Sequence, residues 1–432
     1  MSNPLGLPSP KRALWRPRRV GANPATPAGE RTGVKRTRPR PAWLLPAVLL
    51  MLAGCSSRPE SVLLPVAAAA GESARVGMLV VTTRQPADDP GQLYSGERGS
   101  AVSFDSLDVS IPPARNRKLG EIQWPGRIPA DPEHDFAVLA TQKVASEPQL
   151  LDWFRKHRNR RRQALIFVHG FNNTYADAVF RLAQIKHDAG IDAAPILFTW
   201  PSRASVFDYL YDKESTTYSR RALEDLIIKA AKSPDVGEIT ILAHSMGTWL
   251  TMEALRGAAM REHALPAKVD NVVLASPDID VDVFRRQIIE MGPKLPRFTI
   301  LTSTADKALG ISRLISGGVN RVGGADPRPY EDILKQLGIT VIDTSTSDSK
   351  DPLGHNAFAD SPQIIALLGR TLAGQSLQPG QENLADSVGI VAVGTAGLAG
   401  AAAKAALSIP RHMLENRLTA PKSPIVNGRA SY

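Results

Sequence analysis

The sequence predicts an α/β fold in which a mostly parallel sheet of eight strands carries helices on both faces. From residue 77 onward, short apolar runs rich in β-branched residues alternate with longer segments of helical periodicity. The runs after residue 160 are almost unbroken, as expected of strands that are covered on both faces. Strands that alternate with helices favour a parallel sheet whose crossover connections are right-handed.

The eight predicted strands each end at a turn signal, and together they define one domain over residues 76–378. In chain order they are residues 77–83, 106–112, 164–170, 195–200, 238–245, 269–276, 297–303 and 339–345. Helical periodicity is clearest over residues 174–190, 215–232 and 248–262. We therefore expect the side chains that follow the carboxyl ends of these strands to lie at one edge of the sheet.

Residues 1–54 precede this domain and have the composition of a signal peptide with a long basic n-region. They hold ten basic side chains, one acidic side chain and an apolar run at residues 43–54. Twelve residues are too few for a helix to cross a bilayer about 30 Å thick, which takes roughly 20 residues. The run is typical of a secretory h-region. It ends in residues 52–55, LAGC, which resemble a bacterial lipobox.

The lipobox resemblance implies that Cys55, the single cysteine of the chain, becomes a lipidated N-terminus. Several acyl chains on one residue anchor a protein firmly in a membrane. Ser56 stands where an aspartate would signal retention at the inner membrane, so in a Gram-negative cell the resemblance implies the periplasmic face of the outer membrane. The alternative is a buried cysteine after an ordinary signal peptide. Residues 55–75, rich in small residues and proline, are predicted to be a linker.

Composition excludes two classes of site. The 432-residue chain has a formal net charge of +10, but residues 1–54 account for +9 of it, so the rest is nearly neutral. A nearly neutral body without a basic stripe argues against nucleic acid binding. A single cysteine excludes an intramolecular disulfide and a zinc site built from several thiolates.

The candidate nucleophile is Ser245, in the segment Ala243-His244-Ser245-Met246-Gly247. This segment follows a predicted strand and opens a helix, as the G-x-S-x-G nucleophile elbow does, with alanine in place of the first glycine. Small residues are needed on both sides because the strand-to-helix turn is tight and strained. The alternative role for Ser245 is the N-cap of an ordinary helix.

Two backbone amides are candidates for an oxyanion hole. One belongs to Met246, directly after the nucleophile, and the other to Phe171, in the loop after the strand at residues 164–170. Acyl transfer needs two such donors aimed at the oxygen that becomes negative in the transition state. Gly170 allows that loop to turn sharply, and His169 is predicted to be structural rather than catalytic.

The candidate base is His355, which is found by elimination. In the order serine, acid, histidine, the base must follow Ser245, which leaves His263, His355 and His412. His263 lies after the elbow's own helix, at the wrong edge of the sheet, and His412 lies in a terminal tail. His355 follows the last predicted strand, where a neutral imidazole can take the serine proton and return it to the leaving group. A solvated surface loop is the alternative interpretation of this segment.

The acid is predicted to be Asp306, which follows the seventh strand. A carboxylate is needed there to fix the tautomer of the base and to stabilise its protonated form. Asp278, after the sixth strand, is the alternative acid. The carboxylate that is not used is expected to cap a helix or to stabilise a loop.

Six segments resemble a bacterial α/β-hydrolase family of unassigned function that is loosely called esterase- or lipase-like. They are residues 167–172 (FVHGFN), 199–202 (TWPS), 208–212 (DYLYD), 243–247 (AHSMG), 276–280 (SPDID) and 306–309 (DKAL). The resemblance covers about residues 77–375. It implies the α/β-hydrolase fold and the triad Ser245, Asp306 and His355, without naming a substrate. Trp200, Phe207, Tyr209 and Tyr211 are candidates either for an acyl pocket or for packing over the sheet edge.

Residues 379–432 are predicted to hold an apolar segment and a flexible tail. Residues 388–403 are rich in glycine and alanine and carry no charge. Such a segment is only weakly hydrophobic per residue, so a helix that docks or lies on a surface is favoured over one that crosses a membrane. This helix is the candidate contact with a membrane or a partner.

The predicted function is that of a lipid-anchored serine hydrolase. It would cleave a carboxylic ester or a related acyl bond of a small-molecule or lipid substrate through an acyl-enzyme on Ser245. Acyl transfer by a triad and an oxyanion hole needs no metal and no organic cofactor. The rival hypothesis is a non-catalytic envelope protein that keeps the hydrolase scaffold for binding or assembly. Amide cleavage by the same triad stays open.

Overall fold

The computed structural model describes residues 60–68, 73–373 and 389–392, the last four by their backbone alone. The strands are, in chain order, β1 Ala74–Pro86, β2 Tyr94–Ile111, β3 Ala137–Lys143, β4 Gln163–Val168, β5 Ala194–Thr199, β6 Glu238–His244, β7 Val269–Ala275, β8 Arg297–Thr302, β9 Ile339–Asp343 and β10 Gly389–Ala392. The predictions for the signal peptide at residues 1–54 and for Cys55 lie outside the described residues.

All of these strands form one sheet, in the order β10-β9-β8-β7-β6-β4-β5-β1-β2-β3. The seven strands from β9 to β1 in this order are parallel, whereas β10, β2 and β3 are antiparallel to the neighbours with which they pair. The predicted mostly parallel α/β sheet is therefore confirmed. The predicted number of eight strands is wrong, because nine lie within residues 73–373 and the short β10 is a tenth.

Both strands that the sequence did not predict lie at the edges of the sheet. The sequence of β3, AVLATQK, passes from apolar to polar without an alternating pattern, so periodicity does not reveal it. β10 falls within residues 388–403, where a helix was predicted, and it pairs with β9 instead. The helix prediction is therefore wrong for residues 389–392.

Helices connect the strands and cover both faces of the sheet. They are α1 Glu147–His157, α2 Tyr175–Asp188, α3 Tyr209–Lys232, α4 Met246–Arg261, α5 Val281–Met291, α6 Lys307–Ile315, α7 Glu331–Gln336, α8 Ala357–Asp360 and α9 Pro362–Leu372. The three helices predicted from periodicity correspond to α2, α3 and α4. Among the described residues, no helix combines the length and the hydrophobicity that a membrane span requires.

Two apolar clusters, one on each face, hold the sheet between the helices. In β4, Leu165 and Phe167 belong to one cluster, and Ile166 and Val168 belong to the other, as the two-residue period of a strand requires. Helices α2 and α9 cover the first face, and helices α1, α3, α4 and α5 cover the second. The parallel strands all end at the same edge of the sheet, which we call the carboxyl edge.

Part of the predicted linker at residues 55–75 belongs to the folded body. Val62 and Leu63 are almost fully buried in the same cluster as α2, and the Leu63 N–H donates to the carbonyl of Gly91 at 2.9 Å. Strand β1 then begins at Ala74, before the predicted end of the linker. Burial of two aliphatic side chains, worth about 1.5–3 kcal/mol each, explains why this stretch packs rather than extending into solvent.

Candidate active site

Ser245 lies at the sharp turn between β6 and α4, with φ 52° and ψ −125°. A positive φ is costly for serine and is a form of strain that clusters at functional sites. The turn is fixed by four hydrogen bonds of the Ser245 main chain. Its N–H donates to the carbonyl of Ala275 at 2.9 Å. Its carbonyl accepts from the Asp278 N–H at 3.3 Å and from both the N–H and the hydroxyl of Thr248, at 3.0 and 2.6 Å. The Ser245 side chain does not cap α4, so the alternative role of an ordinary N-cap is wrong.

Two glycines let this turn and the loop after β4 approach each other. A Cβ atom on Gly247 would lie 2.2 Å from the carbonyl oxygen of His169, and a Cβ atom on Gly170 would lie 2.8 Å from the Cβ of Ser245. Both separations are far shorter than a van der Waals contact, so only glycine fits at either position. Ala243, which replaces the first glycine of the motif, is fully buried in β6. The segment therefore has the strand, turn and helix of a nucleophile elbow.

Asp306 and His355 are in direct contact. The Nδ1 atom of His355 lies 2.6 Å from Oδ2 of Asp306, whose side chain is fully buried. The other carboxylate oxygen of Asp306 accepts from the Leu309 N–H at 3.0 Å and thereby caps α6. Because the carboxylate can only accept, the proton is assigned to Nδ1, and Nε2 of the neutral ring keeps its lone pair.

The main chain of His355 is fixed on both sides. Its N–H donates to Oδ2 of Asp351 at 2.9 Å, and its carbonyl accepts from Nε2 of His244 at 3.2 Å and from the hydroxyl of Ser276 at 3.3 Å. Oδ2 of Asp351 also accepts from the Asn356 N–H at 3.0 Å. The segment is thus an ordered turn built around Asp351 rather than the solvated loop of the alternative interpretation.

His244 connects the candidate base to the candidate nucleophile. Its ring centroid lies 4.8 Å from that of His355 and 4.4 Å from that of Phe358, and it is the residue directly before Ser245. Burial holds the pKa of His244 well below its usual range, and the electrostatic interaction with His355 acts in the same direction, so the His244 ring stays neutral and donates from Nε2. Within the described residues, no hydrogen bond joins the Ser245 hydroxyl to the His355 ring. In unliganded enzymes this bond is often long and tightens only when substrate binds.

Asp278, the alternative acid, is engaged elsewhere. Its Oδ1 accepts from the Ser312 hydroxyl at 2.6 Å and pairs with Nε of Arg321 at 3.2 Å, and its Oδ2 accepts from the Tyr209 hydroxyl at 3.0 Å. The side chains of Asp278 and Arg321 are both almost fully buried. Asp278 therefore joins α3, α6 and the loop after β7, which is the loop-stabilising role expected of the carboxylate that is not used.

The two predicted oxyanion donors lie on either side of the elbow. Met246 is the first residue of α4, so its N–H has no acceptor within the helix. Phe171 follows Gly170, which touches Ser245, and its ring makes an edge contact with that of Tyr209 at 5.4 Å. The N-terminus of α4 adds a positive partial charge at this position. Both candidate donors thus directly follow residues of the elbow contact, and their use as an oxyanion hole stays a prediction.

A buried arginine that the sequence analysis did not single out fixes the loop after β4. Arg84 in β1 donates from Nη2 to the carbonyl of Asn173 at 2.8 Å and from Nη1 to the carbonyl of Ser202 at 3.0 Å. Burial lowers the pKa of Arg84 to about 10, so its guanidinium stays charged at neutral pH. Asp212 supports the same loop, because its carboxylate accepts from the Ser202 hydroxyl at 2.5 Å and from the Asn172 N–H at 3.4 Å.

His169 lies beneath this loop, fully buried, with its ring stacked 4.8 Å from that of Trp200. Its Nδ1 donates to the carbonyl of Gly170 at 2.8 Å, and its Nε2 accepts from the Trp200 N–H at 3.2 Å. Burial, with a further contribution from the charge of Arg84, lowers the pKa of His169 to about 3. These contacts are those of a neutral packing residue, and Trp200 likewise packs rather than lining a pocket.

A family model described as "Alpha/beta hydrolase of unknown function (DUF900)" matches residues 146–371, which is just over half of the chain. The chain belongs to this family. The match to DUF900 begins just before α1 and ends in α9, so it includes every residue of the predicted triad and both predicted oxyanion donors. Strands β1 to β3 precede the matched region.

The comparison with solved structures includes a Lactobacillus plantarum WCFS1 protein provisionally described as a cell surface hydrolase. This DUF900 chain is 12% identical to it, with a TM-score of 0.33, over 52% of this chain and 98% of that one. No curated protein matches the chain. In the part of the chain that the structure describes, no three His, Cys, Asp or Glu side chains cluster as a metal site would require.

Proposed function

We propose that this DUF900 protein is a serine hydrolase that cleaves carboxylic esters or related acyl bonds through an acyl-enzyme on Ser245. The observation that carries the proposal is the 2.6 Å contact between Asp306 and His355, made beside a strained serine at the elbow after β6. Each part comes from a different strand end of the same carboxyl edge. The family and the fold supply the hydrolase class, and this contact supplies the reason to assign its chemistry to a serine.

In the acylation step, Oγ of Ser245 attacks the carbonyl carbon of the substrate, and Nε2 of His355 takes the hydroxyl proton. The carbonyl oxygen becomes negative and accepts from the backbone amides of Met246 and Phe171. When the tetrahedral intermediate collapses, the bond to the leaving group breaks, and the protonated His355 gives its proton to that group. Asp306 stabilises the positive charge that His355 carries between these two transfers.

In the deacylation step, water replaces Ser245 as the nucleophile. Nε2 of His355 takes a proton from the water molecule as its oxygen attacks the acyl carbon. The second tetrahedral intermediate uses the same two amides, and its collapse returns the proton to Oγ of Ser245 and releases a carboxylic acid. The cycle leaves the protein unchanged and consumes one water molecule for each acyl bond.

We also propose that the chain is anchored in a membrane of the cell envelope through lipidated Cys55. The support is the lipobox-like segment at residues 52–55 after the apolar run. Cells that express the full chain and are fed an alkyne-tagged fatty acid are expected to incorporate the tag into this protein, and Cys55→Ser is expected to abolish incorporation. Equal incorporation into both chains would contradict the anchor.

The catalytic proposal is tested by labelling the full chain with a fluorophosphonate probe, which reacts with an activated serine. The wild-type chain is expected to be labelled and Ser245→Ala is not. Ser146→Ala is the matched control, because Ser146 is exposed and its side chain makes no capping bond at α1. Equal labelling of wild type and Ser245→Ala would overturn the proposal. Absence of labelling, together with no turnover on a broad ester panel, would favour the non-catalytic scaffold instead.

A further inference from the structure

The most exposed large apolar side chains of the described residues lie beside the candidate active site. Phe207 is 85% exposed, Leu314 is 77% exposed and Leu210 is 71% exposed. Val206, Ile315 and Val319 are also exposed. We call these six residues the apolar rim. A soluble surface normally scatters such side chains, so a group of them at one place indicates a surface that contacts another apolar phase.

The two halves of the apolar rim are joined through Tyr209. This tyrosine lies between Phe207 and Leu210, and its hydroxyl lies 3.0 Å from the hydroxyl of Ser312, two residues before Leu314. The same hydroxyl donates to Asp278, whose N–H holds the Ser245 carbonyl. The two halves of the apolar rim are therefore linked by hydrogen bonds, and the same bonds connect them to the nucleophile elbow.

Half of the apolar rim lies on the segment between Ser303 and Gly323, which leaves the carboxyl edge and returns to it. Leu314 and Ile315 are on helix α6, and Val319 follows that helix. The segment is closed at its base by the Ser303 N–H, which donates to the carbonyl of Gly323 at 2.8 Å. Its returning end pairs with the loop after β7, because the Val322 N–H donates to the carbonyl of Ile279 at 2.9 Å. Near its start the segment also contains Asp306, the partner of His355. Its apolar residues are thus carried by a segment that starts at the candidate triad.

The charges of the rim segments have one dominant sign. Residues 200–211 and 307–325, which contain all six rim residues, hold four basic side chains and one acidic one. Two of the basic side chains are already paired, Arg203 with Glu97 and Asp208, and the buried Arg321 with Asp278. The positive charge that these segments present to solvent is therefore that of Lys307 and Arg313. On α6, Lys307 and Arg313 are exposed beside Leu314 and Ile315. Apolar side chains that insert and basic side chains that flank them are complementary to an anionic lipid surface.

The point where the folded body begins lies at the same edge. The hydroxyl of Ser61 donates to Asp89 at 2.5 Å, and the Leu63 N–H donates to Gly91. Asp89 and Gly91 belong to the turn that follows the carboxyl end of β1. Ser61 is the sixth residue after Cys55, and six residues span at most about 20 Å of extended chain.

We infer that the apolar rim docks on an anionic phospholipid surface and that the site takes its substrate from that surface. The substrate class is then an acyl ester of a membrane lipid rather than a freely dissolved ester. The docking is independent of the chemistry at Ser245, whereas the substrate class rests on the proposed serine hydrolase. Two experiments separate these parts.

The first experiment reports docking without any need for activity. The full chain with Cys55→Ser has no cysteine, so Phe207→Cys or Met260→Cys in that background can each carry one polarity-sensitive fluorophore. Met260 is the matched control, because it is 60% exposed and lies at the end of α4 that points away from the carboxyl edge. Both chains keep residues 43–54, so any binding by that apolar run is common to both.

Vesicles of phosphatidylglycerol and phosphatidylcholine are expected to shift the emission to shorter wavelength for the fluorophore at position 207 and to leave position 260 unchanged. Vesicles of phosphatidylcholine alone, or added salt, are expected to weaken the shift. Equal shifts at both positions, or none at either, would overturn the docking. A shift at position 207 that grows with protein concentration and needs no vesicles would assign the rim to a second copy of the chain, and would overturn it too.

The second experiment compares one acyl ester dissolved as a monomer with the same ester held in vesicles. The triple variant Leu210→Ser, Leu314→Ser, Ile315→Ser is expected to hydrolyse the dissolved ester within about twofold of wild type and the vesicle-held ester about tenfold more slowly. Met260→Ser is expected to match wild type on both. An equal loss on both presentations would overturn the membrane-borne substrate. Failure of Ser245 to react with the fluorophosphonate would instead overturn the hydrolase proposal. It would not affect the fluorescence result, which reports docking alone.

Discussion

At the scale of single residues, His355 is held at every polar atom except one. Its N–H, its carbonyl and its Nδ1 are bound by Asp351, by His244 with Ser276, and by Asp306. Only Nε2 is left to exchange a proton. A side chain so constrained loses little entropy when it meets a substrate, which is what general base catalysis requires of its geometry.

The contact of Asp306 with His355 predicts a clear difference between two aspartates. Asp306→Asn keeps an oxygen for the Leu309 N–H but removes the charge that stabilises protonated His355, so kcat is expected to fall by about 10³- to 10⁴-fold with little change in KM. Asp278→Asn, the matched control, is expected to destabilise the fold while keeping kcat within about tenfold. Steady-state kinetics on a soluble ester measure both. A larger loss for Asp278→Asn would assign the acid to the other loop.

His244 is a positioning residue that acts through the carbonyl of His355. His244→Phe keeps a ring to stack on Phe358 but removes the donor from Nε2, so the His355 turn loses one of the two groups that hold its carbonyl. We expect kcat to fall about tenfold and the acid limb of the pH–rate profile to move, because the base is less firmly placed. A lower unfolding midpoint with an unchanged pH–rate profile would show that His244 serves packing alone.

The sequence offers one candidate serine and one candidate base but leaves two candidates for the acid. Ser245 has a local signature, and His355 is the one histidine after it that follows a strand at the right edge. Asp278 and Asp306 both follow neighbouring parallel strands, so their positions along the chain are equivalent. The structure favours Asp306 as the acid because Asp278 is already bound by Arg321, Ser312 and Tyr209. These three residues come from distant segments, and no local sequence pattern connects them to Asp278. Arg84 and Asp212 were missed for the same reason.

At the scale of elements, the seven parallel strands were predicted because their sequences are apolar on both faces. β4, β5 and β6 are each buried at nearly every position. The edge strand β3 lacks this pattern, because its second half is polar. The edge strand β10 is apolar, but it lies in a glycine- and alanine-rich segment whose composition favoured a helix. The start of α3 was misplaced by six residues, since its first turn, Tyr209 to Asp212, carries polar contacts instead of helical apolar periodicity.

Replacing glycine by alanine is expected to change the free energy of unfolding in opposite directions at two helical positions, one closely packed and one open. Gly247→Ala would place a Cβ 2.2 Å from the His169 carbonyl, so we expect the free energy of unfolding to fall by about 3 kcal/mol or more. Gly310→Ala in α6 meets nothing within 4 Å, and we expect it to raise the free energy of unfolding by about 1 kcal/mol. Urea unfolding measures both. Similar midpoints for the two variants would contradict the packing described here.

At the scale of the whole molecule, stability should depend on two histidines that are buried in the neutral form. The pKa of His169 is lowered to about 3, and that of His244 is lowered well below its usual range, in both cases first by burial. Between pH 6.5 and about 3 the unfolded chain therefore binds a proton at His169 that the folded chain does not. The contribution of these histidines to the free energy of unfolding is therefore at its full value above pH 6.5. It falls as the pH drops, by about 1.4 kcal/mol per pH unit for each such residue.

Urea midpoints measured at several values between pH 7.5 and pH 5 test this dependence. The wild-type midpoint is expected to fall steadily below pH 6.5, and His169→Asn is expected to be less stable at pH 7.5 but to show a flatter slope. His263→Asn is the control, because His263 is exposed and its removal should leave the slope unchanged. A wild-type midpoint that is constant from pH 7.5 to pH 5 would contradict the neutral burial of both rings.

The hydrogen bond between Ser303 and Gly323 has a consequence for how proteins of this architecture diversify. Because the two ends of the intervening segment already meet at the sheet, lengthening that segment costs only the entropy of a longer loop, about 0.6 kcal/mol for each doubling. The segment between Ser303 and Gly323 can therefore change in length while the strands, Ser245 and His355 stay where they are. Under the proposed function, selectivity and catalysis then lie on separate stretches of one chain.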